Sequence, residues 1–224
     1  MSVWHIAVVL VVAAQQLPSI TVATDADAAR VLQLSVTDVA RLRSSGVLTT
    51  RKPAPRVPDF FFKYPVPQSI ASNAKARAEL RAQGVAERDI GIGDAVSVFA
   101  AVDNGYWFGK AIKNYEGESG RGAIGFLSSD GTYTMVELPP LRTASVSAIL
   151  AEPDAIWAGM FIQQERARIA RGLLRYDRKS QAAQTFAVPA IIHTIVRVDT
   201  RLFIGTERGP YMLSGDTVTR LVWK

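Results

Sequence analysis

The sequence predicts a mainly β protein in which three repeated four-stranded units follow a partly helical, proline-rich N-terminal segment. From Val96 onwards, short β-type segments alternate with Gly, Asp and Pro, and this part of the chain aligns with itself three times. Residues before it carry helical patterns interrupted by prolines. The predicted divisions are residues 1–23, 24–93 and 94–224.

Composition narrows the class of protein. The chain has 224 residues, of which 48% are hydrophobic, with two histidines and no cysteine. These values exclude a disordered chain, a disulfide-stapled domain and a thiolate-bound zinc site. The net charge of +6 is divided equally between residues 1–95 and 96–224. An even, mildly basic surface favours anionic partners in general, and we predict no nucleic-acid binding.

The first 23 residues have features of an export signal. Residues 6–14 read IAVVLVVAA, which matches the length of a secretory apolar region and is shorter than the roughly 20 residues that span a bilayer. Small residues at Thr21–Ala23 allow cleavage after Ala23, so we predict a signal peptide and a periplasmic or secreted location. The run has no Lys or Arg before it, and a buried β-strand is the alternative.

The N-terminal segment of residues 24–93 is predicted to contain two helical stretches. One runs from Thr37 to Arg43 and ends before Gly46, and the other covers Ser69–Arg88 with a break at Gly84. Five prolines between residues 51 and 67 exclude regular structure there, apart from a short extended piece at Phe60–Tyr64. The three phenylalanines at 60–62 are either core residues or a docking patch.

The repeat is carried by three ungapped copies, each an apolar strand, a turn and a second strand that ends in glycine. They are Ser97–Gly109, Ser147–Gly159 and His193–Gly205. Successive glycines lie 50 and 46 residues apart, a spacing typical of four-stranded propeller blades. A single four-stranded meander with two apolar faces buries both of them only by stacking on copies of itself.

We therefore predict three propeller-type blades, at about residues 94–141, 142–189 and 190–224, that form an incomplete propeller. The aromatic residue two places before each glycine should wedge between adjacent sheets, and the glycine should let the neighbouring backbone approach closely. Known propellers close with about four to eight blades. Three blades leave the two outer sheets uncovered, and we expect the N-terminal segment to cover one but not both, which favours self-association through open blade edges.

The middle copy resembles a known family. Ile156–Gly159 (IWAG) and Gly172–Asp177 (GLLRYD) are similar to the propeller repeats of bacterial two-component-regulator sensor ectodomains, and the resemblance covers about residues 94–224. It implies a periplasmic, non-catalytic ligand-binding sensor. Such sensors are rings of many blades followed by a membrane span and signalling domains, so this chain is either a separate three-bladed module or a piece of a longer propeller.

Few residues offer catalytic chemistry. The G-x-G-x-x-G pattern at Gly120–Gly125 leads into a strand and a hairpin turn, whereas a dinucleotide site needs a helix there. His193 is the one histidine outside the apolar start and is expected to cap a strand, so we predict no metal and no cofactor. The loop carboxylates Glu116, Glu118 and Glu165 are solvated charges or, alternatively, a pair for glycosidic chemistry.

The predicted binding residues lie in two 12-residue insertions, residues 110–121 and 160–171, where the third copy has only Thr206–Arg208. Their cations and one aromatic ring suit an anionic or carbohydrate-like ligand. The insertions are otherwise elongated hairpins. Together with one residue of the adjacent link, the predicted ligand-binding set is Lys110, Lys113, Tyr115, Arg121, Arg142, Arg166 and Arg168, and Arg142, Arg166 and Arg168 should dominate anion binding.

The predicted function is an exported, non-catalytic ligand-binding or sensory module with a small-molecule or oligosaccharide ligand. A propeller-fold lyase or hydrolase acting on a polysaccharide is one alternative. The other is a scaffold that binds a protein partner through residues 51–67.

Overall fold

The computed structural model describes residues 17–50, 55–114, 117–118, 121–164 and 167–223. The fold is mainly β, as predicted. Its helices are α1 (Asp25–Val31), α2 (Val36–Ser44), α3 (Phe60–Lys63) and α4 (Ala71–Ala82). Its strands are β1 (Ser19–Val22), β2 (Gly93–Val102), β3 (Gly105–Asn114), β4 (Gly117–Glu118), β5 (Ala123–Ser128), β6 (Tyr133–Val136), β7 (Ser145–Ala151), β8 (Ala155–Gln164), β9 (Ala167–Asp177), β10 (Ala183–Phe186), β11 (Ile192–Val198), β12 (Arg201–Thr206), β13 (Tyr211–Ser214) and β14 (Thr217–Trp223).

The strands form three antiparallel meanders. The first sheet has the order β2-β3-β5-β6, with the short β4 paired to β3. The second sheet has the order β7-β8-β9-β10, and the third has β11-β12-β13-β14. β1 joins the outer edge of the third sheet by pairing in parallel with β14, so the beginning and the end of the described chain lie side by side.

The sequence repeat is also a repeat of strand pairing. Each sheet has a register shift between its first two strands at the same step of the repeat. The bulged residues are Ser97, Ser147 and His193, which begin the three aligned copies. In each sheet, the aligned glycine of the second strand pairs with the residue that follows the bulge, as Gly109 does with Val98.

The glycines lie where successive sheets approach each other closely. A Cβ atom at Gly109 would lie 2.5 Å from Cβ of Val146 in the second sheet, and one at Gly159 would lie 2.7 Å from Cβ of Ile192 in the third. Trp107 is buried in the cluster shared by the first two sheets, and Trp157 in the cluster shared by the last two. The predicted wedging of these two tryptophans between adjacent sheets is confirmed.

The free face of the third sheet is covered by α1 and α2. Phe203, which takes the place of the tryptophans in this sheet, is fully buried in a cluster with Leu42 and Val47. A Cβ atom at Gly205 would lie 2.9 Å from Cα of Val47, so the N-terminal segment occupies the place that the next sheet occupies elsewhere. Ser35 and Asp38 form a reciprocal cap at the start of α2, which ends before Gly46 as predicted.

The opposite face of the first sheet is covered by α3 and the residues after it. Phe61 and Val66 pack in one cluster with Phe108 and Leu127. The N-terminal segment therefore covers both outer sheets, and the prediction that it covers only one is wrong. Residues before 51 pack on the third sheet and residues after 54 on the first, so the N-terminal segment supplies two separate apolar patches.

The extended piece predicted at Phe60–Tyr64 is also wrong, because residues 60–63 form the helical turn α3. The turn brings Phe60 and Tyr64 into edge contact, with ring centroids 5.0 Å apart, and directs Phe61 into the core at 4% exposure. This burial favours the core role of the phenylalanines. The helix predicted after Ser69 is present as α4, which ends before Gly84.

The predicted signal peptide lies largely outside the described residues. Its last part is described, and there residues 19–22 form β1, with Val22 fully buried. Among the described helices, none is long and apolar enough to cross a membrane.

Candidate ligand sites

In their described parts, the insertions that carry the predicted binding residues continue as paired strands. β8 and β9 remain paired out to Gln164 and Ala167, and β3 pairs with β4 through Lys113 and Glu118. Tyr115, Glu116, Glu165 and Arg166 lie outside the described residues. The other five predicted binding residues line two different cavities, named here the central cavity and the side cavity.

The central cavity has a volume of about 390 Å³ and lies between the first strands of the three sheets, β2, β7 and β11. All three bulged residues, Ser97, Ser147 and His193, line it. Since the bulge recurs at the same step of each repeat, the three copies bring corresponding positions to one place. Pro55, from the N-terminal segment, also lines this cavity.

Ten of the sixteen residues that line the central cavity are apolar. Its apolar members are Pro55, Val98, Phe99, Val146, Ala148, Ile149, Phe161, Ile191, Ile192 and Ile195. Its cations are Lys113 and Arg168. The guanidinium of Arg168 lies over the ring of Phe161, 4.9 Å from the centroid. No carboxylate of the described residues forms an ion pair with either cation.

The bulged side chains contact neighbouring elements. The Ser97 hydroxyl lies 2.9 Å from the carbonyl oxygen of Val146 and 3.0 Å from that of Gly109, linking the first sheet to the second. Nε2 of His193 lies 3.3 Å from the carbonyl oxygen of Gly46, so this histidine contacts the N-terminal segment from the beginning of β11. The Ser147 hydroxyl is buried with no hydrogen-bond partner among the described residues.

The side cavity has a volume of about 410 Å³ and lies beside β3 and β5. Its lining is Ser69, Lys110, Arg121, Gly122, Ala123, Glu137, Leu138 and Arg142. Three of the predicted binding residues thus meet here. Arg142 and Arg168, which were expected to act together, line different cavities.

Lys110 is a buried strand residue, although the sequence pattern placed it in a loop. β3 continues past Gly109, and the Lys110 side chain is 7% exposed, with Nζ 3.0 Å from Oδ1 of Asp94. The Asp94 side chain is fully buried and also accepts a hydrogen bond of 2.9 Å from the hydroxyl of Ser69. The ion pair joins β2 to β3, and the hydrogen bond from Ser69 ties them to the residues just before α4.

Arg121 and Arg142 are both exposed, and neither has an ion-pair or hydrogen-bond partner for its side chain among the described residues. Arg121 has a φ of 76°, a left-handed conformation that non-glycine residues seldom adopt. The next amide, that of Gly122, donates to the carbonyl oxygen of Ala144 at 2.6 Å. This bond fixes the start of β5 against the link to the second sheet.

A further charged cluster lies between the second and third sheets. Arg197 binds Glu152 with two hydrogen bonds, of 2.8 and 2.7 Å, and the indole of Trp157 donates to the same carboxylate at 2.8 Å. Burial alone would raise the pKa of Glu152, but the hydrogen bonds from Arg197 and Trp157 outweigh burial and lower that pKa. The cluster is a structural link between two sheets.

Asp94 and the bulged residues were missed as site residues. A signal for the bulges was available, because each copy begins with a polar residue followed by an apolar strand. A signal for Lys110 was available too, because the alignment places it opposite Met160, a typical core residue. No group of three or more His, Asp or Glu side chains in the described ranges is placed to hold a metal ion.

Comparison with known proteins does not assign the chain to a family. No protein-family model matches the sequence, and a search of the curated proteins finds no match. The resemblance to two-component-regulator propeller repeats therefore stays a prediction.

Proposed function

We propose that the chain is a non-catalytic ligand-binding module made of three propeller-type blades, and that its central cavity binds a small organic anion with an apolar body. An aromatic or medium-chain carboxylate has the required chemistry. The observation that carries the proposal is the convergence of three repeat-equivalent bulges on a cavity lined by apolar side chains together with Lys113 and Arg168.

The contacts between successive sheets support the blade interpretation. Gly109 packs on the first strand of the second sheet, and Gly159 on the first strand of the third. Repeated packing of this kind, with an aromatic wedge beside each glycine, is expected of neighbouring blades. The resemblance to periplasmic sensor propellers supports export and a sensory role, which form part of this proposal.

The charges in the central cavity favour an organic anion over a neutral sugar. An apolar wall binds the ligand body through burial, and a guanidinium and an ammonium bind a carboxylate by charge-assisted hydrogen bonds. No Asp or Glu among the described residues lines this cavity. Glycosidic chemistry needs two carboxyl groups that flank the scissile bond, so the described lining favours binding over cleavage.

The test is a calorimetric titration of the full chain with benzoate and octanoate, against benzyl alcohol and octanol as uncharged counterparts. We expect the carboxylates to bind more tightly than the alcohols. Each charge-assisted bond contributes about 1.5–3 kcal/mol, so Lys113→Gln with Arg168→Gln should weaken carboxylate binding at least tenfold. Arg171→Gln, three residues along the same strand and outside the cavity, is the matched control.

Three outcomes would contradict the proposal. The first is equal affinity for a carboxylate and its alcohol, and the second is no binding of either. The third is a Lys113→Gln/Arg168→Gln protein that unfolds normally and binds benzoate as the unmodified chain does.

A further inference from the structure

We propose that the side cavity is a second binding site, separate from the central cavity, and that it takes a compact oxyanion: inorganic phosphate or the phosphoryl group of a small polar molecule. The proposal goes beyond the function of the central cavity and does not depend on it. It rests on the placement of Lys110, Arg121 and Arg142.

Lys110 is the first part of the argument. The repeat places Met160 and Thr206 at the corresponding positions of the other two sheets, and all three side chains are buried. A charged ammonium at such a position is costly unless acceptors surround it. Its nitrogen carries three hydrogens, and among the described residues only Asp94 pairs with it, at 3.0 Å. An oxyanion in the cavity would supply further acceptors.

The two arginines are the second part. Several other arginines of the chain are paired with carboxylates, as Arg197 is with Glu152 and Arg81 with Glu87. Arg121 and Arg142 line the cavity without such a pair among the described residues. A guanidinium presents five donors in a planar fork that fits two oxygens of one phosphoryl group. Two of them at one cavity suit a tetrahedral oxyanion.

The backbone at Arg121 is the third part. Corresponding arginines, Arg171 and Arg208, precede glycines that carry the positive φ themselves, 84° at Gly172 and 97° at Gly209. In the first copy the arginine itself adopts the left-handed conformation. A non-glycine residue held in that conformation is strained, and such strain is concentrated at binding sites.

The lining sets the class of ligand. Apolar side chains are few here, Ala123 and Leu138, so an apolar ligand body gains little. Glu137 is the acidic residue of the lining, and Asp94 already forms an ion pair with Lys110. Three cations against these two carboxylates leave a single excess positive charge, which favours a compact anion bound with modest affinity.

The experiment is a calorimetric titration of the full chain with inorganic phosphate and with glycerol phosphate, at an ionic strength held constant with sodium chloride. We expect both to bind, and Arg121→Gln with Arg142→Gln to weaken the binding at least tenfold. The central-cavity variant Lys113→Gln/Arg168→Gln should keep phosphate affinity within about twofold, because it leaves these guanidinium groups in place. Failure at one cavity therefore does not affect the conclusion for the other.

A second variant separates binding from folding. Arg121→Gly relieves the left-handed backbone, so it should raise the melting temperature while it weakens phosphate binding. A merely structural arginine would not produce these opposite changes. The proposal is overturned if the unmodified chain does not bind millimolar phosphate, or if the Arg121→Gln/Arg142→Gln protein binds it with unchanged affinity.

Discussion

The buried pair of Asp94 and Lys110 allows a quantitative test of how the first sheet is held to α4. In the repeat, Lys110 aligns with Met160 of the second sheet, and Asp94 aligns with Ala144. Lys110→Met and Asp94→Ala therefore give the first sheet the residues that the second sheet has. Both counterparts are buried, with exposures of 2% and 0%. The repeat thus supplies an apolar version of the same contact.

The expected cost follows from burial. Asp94 is fully buried and Lys110 is 7% exposed, so either single replacement leaves a buried charge without its partner. Breaking such a pair costs about 3–5 kcal/mol, whereas replacing both members by apolar residues is often neutral. Ser69 would lose its acceptor in the double variant, which adds about 1 kcal/mol. We expect each single variant to lose about 3 kcal/mol or more, and the double variant to lose about 1–2 kcal/mol.

The assay is urea unfolding of the four proteins, followed by tryptophan fluorescence, because Trp107 lies on β3, the strand that carries Lys110. Equal slopes of free energy against urea would show that the folded states are comparable. If Lys110→Met cost less than about 1 kcal/mol, or if the two single effects added within about 0.5 kcal/mol, the two charges would not be coupled and the reasoning would be wrong.

Three further predictions concern the sheets. Gly159→Ala should cost about 1–3 kcal/mol of unfolding free energy, because its Cβ would lie 2.7 Å from Cβ of Ile192. Gly91→Ala is the control, because nothing lies within 4 Å of a Cβ there, and it should change the unfolding free energy by less than about 0.5 kcal/mol. Because the pKa of Glu152 is lowered, its ion pair stabilises the fold above the ordinary carboxyl pKa near 4.5, and this stability is lost as the pH falls through the lowered pKa. The melting temperature of Glu152→Gln should therefore fall less on acidification than that of the unmodified chain. Parallel curves of melting temperature against pH would contradict this. Because the N-terminal segment covers both outer sheets, sedimentation at micromolar concentration should give a monomer, and a concentration-dependent dimer would restore the expectation of self-association.

The sequence predicted the contacts that depend on repetition. Aligning Gly109 with Gly159 located both the strand pairing and the close approach of successive sheets, because a missing side chain is itself the structural requirement. The tryptophan two residues earlier was located by the same alignment. These features depend on residues that are close together in the sequence, and each copy of the repeat provides its own evidence for them.

Features that depend on distant parts of the chain were not predictable in this way. The burial of Lys110 depends on Asp94 and Ser69, which belong to another strand and to the N-terminal segment. The separation of Arg142 from Arg168 depends on how the sheets stack. The helical turn at Phe60 was hidden by the prolines around it, since proline is compatible with the first turn of a helix as well as with extended chain.

The pairing of β1 with β14 has a consequence for the order in which the molecule can form. Val22 and Leu42 are made long before their packing partners, Phe203 and Leu221. Contacts of such long sequence separation close slowly. The apolar sides of α1 and α2 must therefore stay uncovered during synthesis until β12 and β14 have been made.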